Sequence, residues 1–433
     1  MKLQKISMNK EKLFSILTAI AVVLAVWSSA INAQSKIKNQ TGSVYIQTNG
    51  VANEIIHYGR QVDGKLVEMA RISTGGAGSG TFKPITGQES APNAFEGVGS
   101  IIITPDHQYL FTTNGGDNTV SSFKIGVDGG LTLINTEPTG QRVSGKSGTA
   151  KSLAYSPTTQ TLYVCHSFGP DHIRMFSVKD GRLKRKGGDY TVNTATKTDR
   201  IPTQIVLTPD GKFLMTDILF DKRPGMKPDG TPDLAIANMP DKDGLVIFPV
   251  EKDGDLGKPR FTDAGGAAPF VIAFLNGNNN TFINGFAGSD GLLMGRINAD
   301  GNVTNSPVTT INQAKGKPSE LCWVAITPDN KQVVAAIFGY SYVSSFKIEN
   351  GALKIAADPA APAIPGDGKF KALDMLVSSA PSDNWISPDG KYYYQIYPNA
   401  SKFIVYQLDK NGHLKEIDRE DIPYQSPQGM AGF

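Results

Sequence analysis

The 433-residue sequence is poor in the side chains that carry most metal and nucleophilic chemistry: two cysteines, five histidines and three tryptophans. Two cysteines exclude a disulfide-stapled scaffold and a multi-thiolate metal centre. Cys165 and Cys322 each sit inside an apolar run, LYVCHS and LCWVAI, which reads as two buried thiols more readily than as one bridge. Charge is sparse as well, at 19% of residues and a net +3, so neither a disordered polyelectrolyte nor a basic nucleic-acid binder fits. Long apolar runs are confined to the N-terminus. There, Lys2, Lys5, Lys10 and Lys12 precede an apolar stretch over residues 13–27, followed by small residues up to Ala33. About 15 apolar residues fall short of the ~20 that span a bilayer, so residues 1–33 read as a secretory signal peptide, with an uncleaved anchor as the alternative. The expected mature chain, residues 34–433, is secreted or periplasmic and has no membrane span. Four bases and one acid leave with the leader, which brings the formal charge to zero.

What the sequence has in quantity is turn chemistry: 46 glycines and 26 prolines. Their placement is periodic. A short apolar strand ending in Thr/Ser-Pro, usually followed by Asp, recurs in SIIITPDHQYLF, KSLAYSPTTQTLYV, TQIVLTPDGKFLM, LCWVAITPDNKQVV and NWISPDGKYYY, with prolines at 105, 157, 209, 328 and 388. Gly277 stands in the proline position of a degenerate copy, FVIAFLNGNNNTFIN. Proline has no N–H for a sheet ladder, so it marks a turn between strands. Independently, Asp-Gly or Asn-Gly pairs begin at residues 63, 128, 180, 253, 300, 350 and 411, each after an alternating strand. Seven such hairpins predict seven four-stranded units: an all-β, seven-bladed β-propeller. The blades are expected at about 41–75 plus 427–433, 97–140, 151–192, 203–264, 269–312, 320–360 and 383–420. The chain enters its first blade at the second strand, SVYIQTN, and ends with SPQGMAGF, which resembles an innermost strand. The C-terminal strand should therefore complete the N-terminal blade and close the ring. One irregularity, about 25 residues between Asp217 and Gly244, reads as either a ligand lid or a loose insertion.

With these units laid out, the sequence resembles the seven-bladed lactonase-like propellers related to 6-phosphogluconolactonase and 3-carboxymuconate cyclase, with YVTN-type repeats. The resemblance rests on TPDHQYLFTTNGGDNTVSSFKIGVDGGLTLINTEPTG in the second blade, LTPDGKFL in the fourth, and CWVAITPDNKQVV with SSFKIENGALKI in the sixth. It implies an active region at one mouth of the ring, with His and Arg on loops entering inner strands and a carboxylate on a second-to-third strand loop. The sequence departs from that pattern. Lys151 stands before Ser152 where a His is usual, Thr203-Gln204 replaces an Arg-His pair with Arg200 nearby, and Asp217 takes the carboxylate position only across a gap.

Lactone opening needs a proton acceptor or donor at the ring oxygen and a cation or N–H donors for the oxyanion. Lys151, Arg200, Asp217 and His166 are the catalytic candidates. Asp171, Gln204, Glu320, Trp323, Tyr340 and Asp383 are the substrate-binding ones. His166 and His172 have solvated turn histidines as their alternative. The aspartates of the long insertion (Asp221, Asp229, Asp233, Asp241, Asp243) lack the dense oxygen spacing of a calcium loop, so no metal or redox cofactor is expected. The expectation is a monomeric lactonase-like hydrolase, or a cycloisomerase-like enzyme, acting on a small lactone or carboxylate-bearing ring compound. The alternative is a non-catalytic propeller whose loop face binds a protein or glycan.

Overall fold

The Thr/Ser-Pro-Asp segments fold into one recurring turn. In the second blade the Thr104 hydroxyl donates to Asp106 Oδ1 (2.6 Å) and accepts the Tyr109 N–H (3.0 Å), while Asp106 Oδ1 accepts the Gln108 N–H (3.1 Å). The same set joins Thr208 to Asp210 and Phe213, Thr327 to Asp329 and Gln332, and Ser387 to Asp389 and Tyr392. Each turn reverses an inner strand into the second strand of its blade.

This computed structural model describes residues 39–89, 97–140, 149–228, 233–311, 319–369, 377–424 and 427–433. The expected signal peptide lies outside them. Seven antiparallel sheets of four or five strands form the ring, and consecutive blades touch in chain order. Closure is as the sequence predicts: Met430–Gly432 pairs with Gln40–Gln47 and becomes the innermost strand of blade 1. No helix among the described residues is long and apolar enough to cross a membrane. Cys165 and Cys322 are free, buried thiols in blades 3 and 6.

The Asp/Asn-Gly hairpins do more than reverse direction. Gly129, Gly181, Gly254, Gly412 and Gly64 each offer a carbonyl to a hydroxyl on the preceding blade: Tyr45 Oη (2.6 Å), Ser122 Oγ, Tyr163 Oη (2.6 Å), Ser345 Oγ (2.7 Å) and Tyr394 Oη (2.8 Å) respectively. Gly129 lies at φ +81°, and a Cβ there would sit 2.0 Å from Ser43 Oγ, so both backbone conformation and space require glycine. Apolar clusters fill the seams, for example Phe111, Val120, Leu153 and Val164 between blades 2 and 3.

At the opposite end, a left-handed residue ends the second-to-third strand turn of several blades. Asn118, Asp290, Ser341 and Ser401 have φ between +50° and +65°. Their carbonyls accept the N–H groups of Thr139, Ile311, Ile364 and Ile422, which fixes where each outer strand leaves for the next blade. This end gathers the inter-blade loops and holds the candidate site.

Candidate functional site

The segment joining blades 1 and 2 turns inward at this end. Ser79, Lys83, Ile85 and Thr86 are buried, and Ile85 packs in one apolar cluster with Phe270, Cys322, Trp323 and Phe338. Where the segment re-enters blade 2, the Gly97 carbonyl accepts Trp323 Nε1 (3.2 Å) and Gln428 Nε2 (2.9 Å). Trp323 is thus a fully buried anchor, edge-on to Phe270 at 4.9 Å.

Lys151 comes to this place because of a bulge. Ala150 pairs with His166 and Ser152 with Cys165, which leaves Lys151 between the two rungs. Its side chain is fully buried, with its stem beneath Gly97. Burial lowers its pKa to about 7, against a weaker opposing pull from Cys165. Lys83, brought by the inter-blade segment, is lowered to about 7 for the same reason. Lys151 adds to that shift, and Glu320 and Cys322 oppose it. Glu320 enters the sixth inner strand with φ +57°, its N–H held by Asp290 Oδ1 at 3.0 Å. Lys83 and Lys151 are therefore both buried charges, and half-buried Glu320 and Lys151 both act on Lys83. Lys83 was missed in the sequence because it belongs to no strand or repeat.

The other candidates have engaged partners. Arg200 is fully buried and donates to the carbonyls of Val192 (3.2 Å) and Asp243 (2.6 Å), with Asp221 and Asp243 carboxylates at 3.4 and 3.1 Å. Gln204 clamps the neighbouring inner strand, its amide donating to the Ile272 carbonyl (2.9 Å) and accepting the Ile272 N–H (3.1 Å). Asp383 accepts the N–H groups of Asn384 (2.9 Å) and Met430 (3.1 Å), which ties blade 7 to the closing strand. Burial raises its pKa to about 7. These three are braces between elements. Tyr340 is half-buried on the 3₁₀ turn Phe338–Tyr340, and Asp171 is half-buried before His172.

The histidines are buried, not solvated. His172 Nε2 lies 3.0 Å from the Arg200 carbonyl, which can only accept, so Nδ1 is the acceptor for the Thr191 hydroxyl at 3.2 Å. Burial lowers its pKa to about 4. His166 contacts Thr149 Oγ1 at 3.2 Å and is held well below the usual histidine range by burial, then by Arg174. Both rings are neutral at pH 7.

Asp217 lies in the seam between blades 4 and 5, where Asn284 Nδ2 donates to its Oδ1 at 3.3 Å. Burial raises its pKa well above the usual carboxylate range. Asp217 Oδ2 and Asn284 Oδ1 are both buried without a hydrogen-bond donor. A proton on Asp217 would supply the donor that both atoms lack, as in an acid–amide pair. Burial thus favours the neutral form of Asp217, and the side chain that holds it is Asn284.

The insertion of blade 4 is anchored through its described residues. Asp221, Asp241 and Asp243 gather within 4.8 Å of one another, and Lys197 Nζ lies 3.1, 2.7 and 2.7 Å from them. The lysine serves as their counter-ion. Asp229 lies outside the described residues. One further contact resembles a nucleophile pair, Ser43 Oγ to His57 Nε2 at 2.9 Å, but both side chains are buried and the Gly129 hairpin is packed on them.

No protein-family profile and no curated protein matches the chain. Solved structures do. A candidate 6-phosphogluconolactonase from Bacteroides fragilis aligns over 91% of this chain and 98% of its own, at TM-score 0.62 and 14% identity. A second candidate, from Bacteroides uniformis, gives 91%, 100%, 0.63 and 14%. The periplasmic gluconolactonase of Pseudomonas aeruginosa gives 90%, 98%, 0.62 and 14%. The chain has the fold of 6-phosphogluconolactonase-like propellers. At 14% identity the likeness carries the fold and leaves the chemistry to the residues above.

Proposed function

We propose that this propeller is a lactonase-like hydrolase that opens a small lactone, or a carboxylate-bearing ring compound, at the mouth of the ring. The observation that supports this reading most is the burial of Lys83 and Lys151, with Lys151 and half-buried Glu320 both acting on Lys83. In that arrangement Glu320 takes the proton of the attacking water, and the Lys151 ammonium stabilises the charge developing on the carbonyl oxygen. An amine that titrates near pH 7 then protonates the departing ring oxygen. Because Lys83 and Lys151 are buried, a substrate reaches them only if the inter-blade segment that carries Lys83 moves aside. A periplasmic setting is part of the proposal and agrees with the location of the Pseudomonas aeruginosa gluconolactonase.

A second reading, a binding propeller, is favoured by one observation: Arg200, Gln204, His172 and Asp383 all serve as braces. A panel of five- and six-membered sugar lactones, followed by base uptake at constant pH, separates the two. Turnover that exceeds spontaneous opening supports the hydrolase. A folded mature chain that opens none of them favours the binding reading.

A further inference from the structure

The link from blade 6 to blade 7 and the second-to-third strand turn of blade 7 enclose an open cleft of about 470 Å³, lined by none of the residues assigned above to lactone opening. That volume lies within the roughly 300–1,000 Å³ of small-molecule sites. Buried Asn399 fixes the geometry. Its N–H donates to the Ser379 carbonyl (3.0 Å) and its side-chain amide to the Ser378 carbonyl (3.1 Å). In turn it accepts the Tyr424 hydroxyl on Oδ1 (3.2 Å) and the Asp367 N–H on its carbonyl (3.1 Å), which sets both residues at the cleft. The charged residues of the lining are three cations, Lys369, Lys402 and Arg419, and one carboxylate, Asp367. In the blade 7 ladder Lys402 stands opposite Asp421 and Arg419 opposite Ile404, so strand alternation puts both cations on one face. Arg419 engages Glu416 through Nε (2.8 Å) and Nη2 (2.7 Å), which leaves Nη1 for a ligand. Lys402 pairs with Asp421, itself 84% exposed, and Lys369 lies 3.6 Å from Asp367 and 4.5 Å from the Tyr424 ring centroid. Solvent-exposed pairs of this kind resist a competing ligand only weakly. Glu416 and Asp421 stand outside the lining, so the cleft itself is cationic.

We propose that this cleft binds a hexuronate, a sugar ring bearing one carboxylate, either free or as a residue of an acidic polysaccharide. The ligand class follows from charge, size and surface. Arg419 and Lys402, on their shared face, match the carboxylate through charge-assisted hydrogen bonds. Asp367, Lys369 and the Ser401 hydroxyl match ring hydroxyls, which both donate and accept. The Tyr424 ring, Ile364 and Pro365 supply apolar surface for the C–H faces of the sugar. A lone inorganic anion would leave that apolar surface uncovered, and a neutral sugar would leave the excess positive charge unmatched. No covalent bond is made or broken. The inference concerns a second site and does not depend on lactone opening.

The test is isothermal titration calorimetry of the mature chain with methyl glucuronide, methyl glucoside, acetate and inorganic phosphate. The expected result is saturable binding of the glucuronide, about tenfold or more tighter than the other three, because it alone offers both the carboxylate and the ring. Arg419→Gln and Lys402→Met should each weaken the glucuronide about fivefold or more, as loss of a charge-assisted hydrogen bond requires. Lys331→Met, at an exposed lysine that does not line the cleft, should leave the affinity unchanged. A glucuronate-containing tetrasaccharide that binds about tenfold tighter than the monosaccharide assigns the site to a polysaccharide, and one that binds no tighter assigns it to the free uronate. Absence of saturable glucuronide binding overturns the proposal. So does equal affinity for the glucoside or phosphate, or an affinity that neither Arg419→Gln nor Lys402→Met changes. Because the ligand comparison is read on the unmodified protein, the outcome does not rest on a variant that folds poorly.

Discussion

Replacing Asp217 with asparagine tests whether a buried acid is a proton donor to its neighbour or a carboxylate base. In the protein, Asn284 Nδ2 donates to Asp217 Oδ1, and a proton on the carboxyl would supply the donor that buried Asp217 Oδ2 and Asn284 Oδ1 lack. Asparagine reproduces both bonds with nearly the same shape, as an amide–amide pair. At pH 5 the Asp217→Asn variant should therefore be at least as stable as the parent, since neither a hydrogen bond nor packing volume is lost and asparagine does not ionise in the unfolded chain. The pH dependence then follows from the direction of the shift. A carboxyl whose folded pKa is raised stabilises the fold fully below its unfolded value and loses that stabilisation as pH rises toward the folded value. Once ionised, the parent keeps one bond and carries a buried charge. The strands packed around it, Pro269–Phe274, Thr281–Phe286 and Leu245–Pro249, contain no titratable or charged side chain to compensate. Breaking the pair by Asp217→Ala strands both ends of Asn284 and opens a cavity, which should cost about 3 kcal/mol or more. Equilibrium denaturation of the three proteins at pH 5 and pH 9 reads these differences, and Asp217→Asn should show the flatter pH profile. A loss above about 2 kcal/mol in Asp217→Asn at pH 5 would refute the acid–amide pairing.

Three further outcomes follow from the same geometry. Gly129→Ala should destabilise the ring far more than Gly351→Ala. Both positions have positive φ, which alone costs about 1–2 kcal/mol, but only Gly129 has Ser43 Oγ where the Cβ would go, while Gly351 has open space. Thr208→Val should cost about 1–2 kcal/mol in denaturant titrations, because the Asp210 and Phe213 bonds of the turn are lost together. Asp383→Ala should speed amide exchange at Met430 without a comparable change at Ile283, since it frees the closing strand and Asn384 but touches nothing in blade 5. An even increase across the ring would contradict that role.

The blade count was legible because its signals are local. A Thr-Pro-Asp turn is closed by hydroxyl and carboxylate groups within five residues, and an Asp-Gly pair adopts its backbone wherever it occurs. The circular closure was legible for a similar reason: the N-terminal blade lacked an inner strand and the C-terminus supplied one. The site was harder to read, because the roles of its residues depend on partners distant in sequence. Gln204 is claimed by Ile272, Asp383 by Met430 and Asp217 by Asn284, and no spacing announces those pairs. His166 and His172 looked like solvated turn residues because CHSFGPDHIR is polar, yet the neighbouring 191–200 loop folds over His172, and Thr149 with the blade 3 strands encloses His166. Lys83 left no periodic trace, since the segment that carries it is irregular and its burial comes from the ring around it.

On the proposed reading, chemistry in this ring resides at Lys151 and Glu320 and not at Asp217. The direct measurement is the lactone-opening rate of Lys151→Met, Glu320→Gln and Asp217→Asn beside the parent, each verified as folded. The expected losses are about 10²-fold or more in the first two, as removal of an oxyanion cation or a general base produces, with an unchanged rate in the third. Full activity in Lys151→Met and Glu320→Gln, or its loss in Asp217→Asn, would contradict it.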